Sequence, residues 1–159
     1  MNKAPEGSAR ENTPDALARV ERRNAWIKEM APDQFARMQF PDRRQYSFRA
    51  FEALEFAYDQ GLDFAFKTAL YDLMWAEGGD VGDIETLMQA GERVGIDPAA
   101  FLAGIEQQPV KDKLRETTQE LIDRGGYGSP TIFVGGDDMY FGNDRMPLIK
   151  DAVLRRRAG

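Results

Sequence analysis

The sequence predicts a mostly α-helical protein that ends in a small β-hairpin and one last helix. From residue 13 to about 125, apolar residues recur at helical spacing and are interrupted by glycines and prolines. Strand character is confined to Thr131-Ile132-Phe133-Val134 and Met139-Tyr140-Phe141, which predicts a hairpin over about 131–134 and 138–141. Between them, Gly135-Gly136-Asp137 tolerates the positive φ that a tight turn requires. Residues 1–45 hold no run of β-branched side chains, so no strand is expected there.

Residues 1–12 are polar, contain Pro5 and Gly7, and read as a mobile arm. Thr13-Pro14-Asp15 starts the first helix with a capping hydroxyl, a proline in the first turn and an acid at the positive end. Leu17, Val20, Trp26, Ile27 and Met30 give it a loose apolar stripe. Phe35 to Phe40 reads as a helical turn that Pro41 ends. From Ser47 the pattern strengthens: Phe48, Phe51, Leu54 and Tyr58 run at helical spacing, and Gly61 stops that helix. Leu62 to Glu77 carries Phe64, Phe66, Leu70, Leu73, Met74 and Trp75 on more than one face, as a buried central helix would. Asp83 is positioned to cap a third helix with Ile84, Leu87, Met88 and Val94, closed by Gly95. Ile96-Asp97-Pro98 opens a fourth, where Ile96 and Phe101 can clip together as a hydrophobic staple. Pro109 opens a fifth, with Val110, Leu114, Leu121 and Ile122 facing inward. Gly125, Gly126 and Gly128 end it, and Ser129-Pro130 forces extended backbone into the first strand. After the hairpin, Gly142-Asn143-Asp144 offers an N-cap to a helix over Arg145–Arg157.

The totals narrow the function. A chain of 159 residues with 42% hydrophobic and 30% charged side chains suits one globular domain with a real core. The net charge of −6 argues against a nucleic-acid surface, which needs clustered Lys and Arg. No apolar run approaches a membrane span and no signal-peptide core opens the chain, so a cytoplasmic protein without a membrane partner is the expectation. The chain has no cysteine, which removes thiol-disulfide exchange through its own thiols. It has no histidine either, which removes Ser-His chemistry and the usual zinc sites; no metal site is expected. Acidic neighbours such as Asp137-Asp138 and Glu116 with Glu120 read as surface groups, and Arg155-Arg156-Arg157 as a solvated last turn that suits the helix dipole.

The order helix, glycines, Ser-Pro-Thr, strand, hairpin, strand, helix resembles the C-terminal half of a thioredoxin-fold domain. More narrowly, Gly128-Ser129-Pro130-Thr131 followed by Tyr140-Phe141-Gly142-Asn143-Asp144-Arg145-Met146 is similar to the DsbA-like group of 2-hydroxychromene-2-carboxylate isomerases and kappa-class glutathione transferases. The helices before it resemble that group's helical insertion, so the resemblance spans roughly residues 45 to 155. With the polar arm over 1–12, the chain then divides into a helical domain over 13–125 and a thioredoxin-like C-terminal half over 126–159. Leu73 to Asp80 is similar to the family's junction between inserted helices; core packing followed by a loop explains the same residues.

The resemblance also implies a site. The Ser129–Pro130 bond is expected to be cis, with the backbone of Ser129 hydrogen-bonding an extended ligand. In this family that ligand is glutathione, whose γ-glutamyl carboxylate suits free amides at a helix start and whose ammonium suits an acid there. Asn143 and Asp144 stand at that position, although Asn or Asp before a helix is ordinarily a cap. The family's catalytic serine or cysteine opens a helix after a first strand. Here the serines are Ser8, Ser47 and Ser129, and none has that setting, so no catalytic residue is assigned.

The chain thus reads as a truncated or divergent member: a glutathione-dependent isomerase or transferase acting on a small thiol and an aromatic substrate. The alternative is a non-catalytic glutathione- or protein-binding module. Lacking the family's first strand, Thr131–Val134 is expected to keep an open edge that a homodimer or a partner chain covers, the rival being cover from the arm or the helix at Thr13.

Overall fold

The computed structural model describes residues 13–41 and 45–158. The arm expected over residues 1–12 lies outside them. The elements run α1 (Pro14–Met30), α2 (Pro32–Arg37), α3 (Phe48–Asp59), α4 (Asp63–Ala76), α5 (Ile84–Arg93), α6 (Pro98–Ile105), α7 (Gln108–Asp123), β1 (Thr131–Val134), β2 (Asp138–Phe141), a 3-10 turn (Asn143–Arg145) and α8 (Met146–Ala158). Among the described residues no strand precedes β1, and the hairpin lies where its sequence expects it. The chain divides into two compact units, residues 1–111 and 112–159, with the division inside α7.

The core of the first unit is formed by helices α3 to α6. α3 turns Ala50, Ala53 and Ala57 inward, small side chains that let neighbouring helices approach. α4 contributes Phe66, Leu70 and Leu73, α5 Leu87 and Ala90, and α6 Phe101 and Ile105. The Phe101 ring meets Phe56 at 5.9 Å and Phe66 at 5.8 Å between centroids. Two predicted starts are made as expected. Thr13 Oγ1 accepts from the Ala16 amide at 3.2 Å, and Asp97 Oδ1 from the Ala100 amide at 2.9 Å, with Ile96 and Phe101 both buried behind that cap.

Four expectations need correction. The helix near Phe35 starts at Pro32, whose fixed φ suits a first turn, and it ends at Arg37; Phe40 lies beyond it and meets Trp75 edge-on at 6.1 Å. The stripe of α1 buries no residue, because Arg22, Arg23 and Asn24 interrupt it between Val20 and Trp26. Ile122 is exposed, since adjacent helical residues point about 100° apart and Leu121 already takes the inward position. Asp83 occupies the N-cap of α5 with extended backbone, yet its side chain makes no capping bond.

The loop after α4 is held by glutamines. Gln39 Nε2 donates to the Ala76 carbonyl at 2.8 Å, and Gln45 donates to Gly79 O and accepts from the Val81 amide, both at 3.2 Å. Arg93 closes the same loop with two bonds of 2.7 Å to Glu77. These bonds hold the Glu77 carboxyl below its usual range.

The second unit is smaller. β1 and β2 pair antiparallel with Ile132 opposite Tyr140 and Val134 opposite Asp138. Gly135 and Gly136 make the turn at φ 57° and 107°. One face of the hairpin packs on α8 through Val134, Ile149 and Ala152, with Ile132 and Tyr140 partly buried beside them. On the other face the guanidinium of Arg124, the residue after α7, lies 3.7 Å from the Phe133 ring centroid and donates to the Gly136 carbonyl at 2.6 Å.

Candidate functional site

The four residues singled out in the sequence fall on two segments that flank the hairpin, and one hydrogen bond ties those segments together. Ser129 and Pro130 lead into β1, and the bond between them is cis, as expected. Asn143 and Asp144 follow β2. The Gly142 amide donates to the Pro130 carbonyl at 3.1 Å, so the register of the hairpin extends one pair past its strands. Ser129, Pro130, Asn143 and Asp144 are all exposed.

Local chemistry shapes both segments. Thr131 Oγ1 donates to the Gly128 carbonyl at 2.6 Å and closes the loop into β1. Gly128 has to lack a side chain, because a Cβ there would lie 2.6 Å from the Phe141 ring. After β2, Gly142 takes φ 101°, which side-chain-bearing residues rarely adopt, and a Cβ would lie 2.6 Å from Asp144 Oδ1. The Asp144 carboxylate therefore folds back over Gly142.

Asn143 and Asp144 do not cap α8 as the sequence suggested. They sit inside the 3-10 turn, which runs directly into Met146, and no side-chain capping bond forms at its start. The reason is local: the chain leaves β2 through Gly142 at positive φ and enters the tighter 3-10 turn before the α-helix begins. Asp144 Oδ2 meets Arg145 Nη1 at 3.6 Å, and both side chains are more than half exposed, so solvent screens that pair heavily. This leaves an acid beside backbone amides, a combination suited to a group carrying both an ammonium and a carboxylate.

One neighbour was missed in the sequence. Tyr127 is 72% exposed, and its ring lies 4.7 Å from Phe141 at 40°, two residues before Ser129. An aromatic isolated in Gly126-Tyr127-Gly128, outside any helical or strand spacing, was the available signal. Among the described residues no group of His, Cys, Asp or Glu could hold a metal ion, and no helix is long and apolar enough to cross a membrane.

Comparison with known proteins follows the same line. The family model described as a DSBA-like thioredoxin domain matches residues 5–154. A 2-hydroxychromene-2-carboxylate isomerase of Pseudomonas sp. (strain C18) is 32% identical over 90 residues, 56% of this chain and 42% of its own length. Glutathione S-transferase kappa 1 of Rattus norvegicus is 34% identical over 86 residues, 50% of this chain and 38% of its own. The match therefore spans less than half the length of either relative. A solved structure of a 2-hydroxychromene-2-carboxylate isomerase is similar with a TM-score of 0.70 at 25% identity, over 90% of this chain and 70% of that one.

Proposed function

The chain belongs to the DSBA-like thioredoxin domain family and is homologous to 2-hydroxychromene-2-carboxylate isomerases and kappa-class glutathione transferases, and from that premise we propose that it binds glutathione for an isomerase- or transferase-type reaction. The observation that carries this reading is the bond from the Gly142 amide to the Pro130 carbonyl, which brings Ser129 and Asp144 to one end of the hairpin. The backbone of Ser129 would pair with the cysteinyl part of the tripeptide. Amides opening the turn Asn143–Arg145 would receive the γ-glutamyl carboxylate, and the Asp144 carboxylate its ammonium. This donor and acceptor set suits the cysteinyl and γ-glutamyl parts of that ligand.

Bound there, glutathione would supply the thiol that this cysteine-free chain lacks. No side chain of the site is assigned a chemical step. Ser129 is a positioning residue, because its contribution runs through the backbone. The second reading, a non-catalytic glutathione- or protein-binding module, is favoured by the absence of both Cys and His.

Calorimetric titration of the full chain with glutathione tests the reading. One-to-one binding is expected, weakened about tenfold by Asp144→Ala, equivalent to ~1.4 kcal/mol. Ser129→Ala should leave it nearly unchanged. Absence of binding, or equal binding by Asp144→Ala, overturns the site. Binding without isomerisation of 2-hydroxychromene-2-carboxylate or transfer to aromatic electrophiles would select the module reading.

A further inference from the structure

We propose that β1 pairs with β1 of a second copy across a two-fold axis, making a homodimer through the free edge of the hairpin. The hairpin's faces are already occupied within its own unit, by Ile149 and Ala152 of α8 on one side and by Arg124, just after α7, on the other. A sheet covered on both faces ordinarily has more than two strands. What remains open among the described residues is hydrogen-bonding capacity along the edges.

The register identifies the free groups. Gly142 and Pro130 are a hydrogen-bonded pair, and bonded pairs alternate along an antiparallel ladder. Ile132 with Tyr140 and Val134 with Asp138 are then the bonded pairs, so the amides and carbonyls of Thr131 and Phe133 point away from β2. A copy of β1 laid antiparallel, with Thr131 opposite Phe133 of the partner subunit, satisfies both residues of both chains. Ile132 then falls on the two-fold axis opposite Ile132 of the partner subunit. The contact is self-complementary, as an isologous interface requires.

Charge decides between the two edges of the hairpin. Residues 125–136 carry no charged side chain, so two copies meet at β1 without like-charge opposition despite a net charge of −6 each. The edge of β2 is flanked by Asp137, Asp138 and Asp144, which would face their own copies across a β2–β2 pairing. Nor does β1 carry a lysine, an aspartate or a bulge, the usual protections of a strand meant to stay alone. In that register Gly135 of the partner subunit lies opposite Ser129, so the pairing shares an edge with the proposed glutathione site, and it is tested without the ligand.

Light scattering of the full chain from low micromolar to near-millimolar concentration is the first measurement. Molar mass is expected to rise from that of the 17.9 kDa chain towards twice that value. Because the chain has no cysteine, Ile132→Cys introduces a single thiol at the axis. Non-hydrogen-bonded partners lie about 4.5 Å apart at Cα, within disulfide reach, so mild oxidation should yield a covalent dimer. Tyr140→Cys, the equivalent position for pairing through β2, should not cross-link. A monomer at every concentration overturns the proposal, and so does a dimer that cross-links through 140, or through neither position while Ile132→Cys remains folded by circular dichroism. Should Ile132→Cys not fold, amide exchange of the unmodified protein decides. Slower exchange of Thr131 and Phe133 at higher concentration supports the pairing, and unchanged exchange overturns it.

Discussion

The two units protect their backbones differently. In the helical unit, amides in the helix interiors bond within their own helices, as helix geometry dictates, and Phe66, Leu87, Phe101 and Ile105 are fully enclosed. In the second unit the buried core is Val134, Ile149 and Ala152, and the hairpin has backbone groups at its edge and at both of its ends. A helix has already used the groups with which it could recognise an extended ligand, whereas a hairpin edge has not. Enclosed core is therefore concentrated in the helical unit, and open backbone groups in the hairpin of the second.

The largest expected effect tests the first half of that division. Phe101→Ala removes a ring that is 0% exposed and packed between Phe56 and Phe66. It should cost about 3–5 kcal/mol, because the space left among α3, α4 and α6 cannot close fully. Urea unfolding followed by helical circular dichroism measures it. A loss below about 1 kcal/mol would mean the helical core is far looser than its enclosure suggests.

Val134→Ala, the matching change in the second unit, should cost about 2 kcal/mol, from two lost methyl groups and a small gap against Ile149 and Ala152. Its effect should be regional. Hydrogen exchange at the amides of Ile132 and Tyr140 is expected to accelerate more than exchange in α4 or α5. Uniform acceleration across both regions would break the comparison, since it would mean that the two units unfold as one.

Much of this division was legible before any coordinates. Helical spacing and the caps at Thr13 and Asp97 located helices, because capping is decided within four residues. The β-branched run Thr131–Val134 and the glycine pair after it located the hairpin for the same local reason. Apolar content alone misled where position around the helix mattered: Ile122 looked like core but sits next to Leu121, which holds the inward position. At the site, Ser129 and Asp144 were legible as residue types. Their placement at one end of the hairpin was not, because the Gly142–Pro130 bond depends on strand register. The 3-10 turn at Asn143–Arg145 was equally hidden, since Asn-Asp before a helix reads as a cap unless the positive φ of Gly142 is known.

The smallest effect sharpens the comparison through pH. Glu77 accepts two bonds from Arg93, and its carboxyl titrates below the usual range, first because of that hydrogen bonding and then through the charges of Arg93 and Arg37, against a partial desolvation. A carboxyl whose folded value is lowered adds stability above its unfolded value and loses it as pH falls through the folded one. Both side chains are at least 40% exposed, so the contribution is small and weakens with salt. Glu77→Gln is therefore expected to lower the thermal midpoint slightly at neutral pH and low salt. The difference from the unmodified protein should shrink to nothing as pH drops below the carboxylate range, where both chains lack the charge. Amide exchange in the hairpin should not respond, because Glu77 and Arg93 belong wholly to the helical unit. A midpoint difference that persists unchanged in acid would assign the role of Glu77 to packing of the loop after α4 and remove the ion pair from the account.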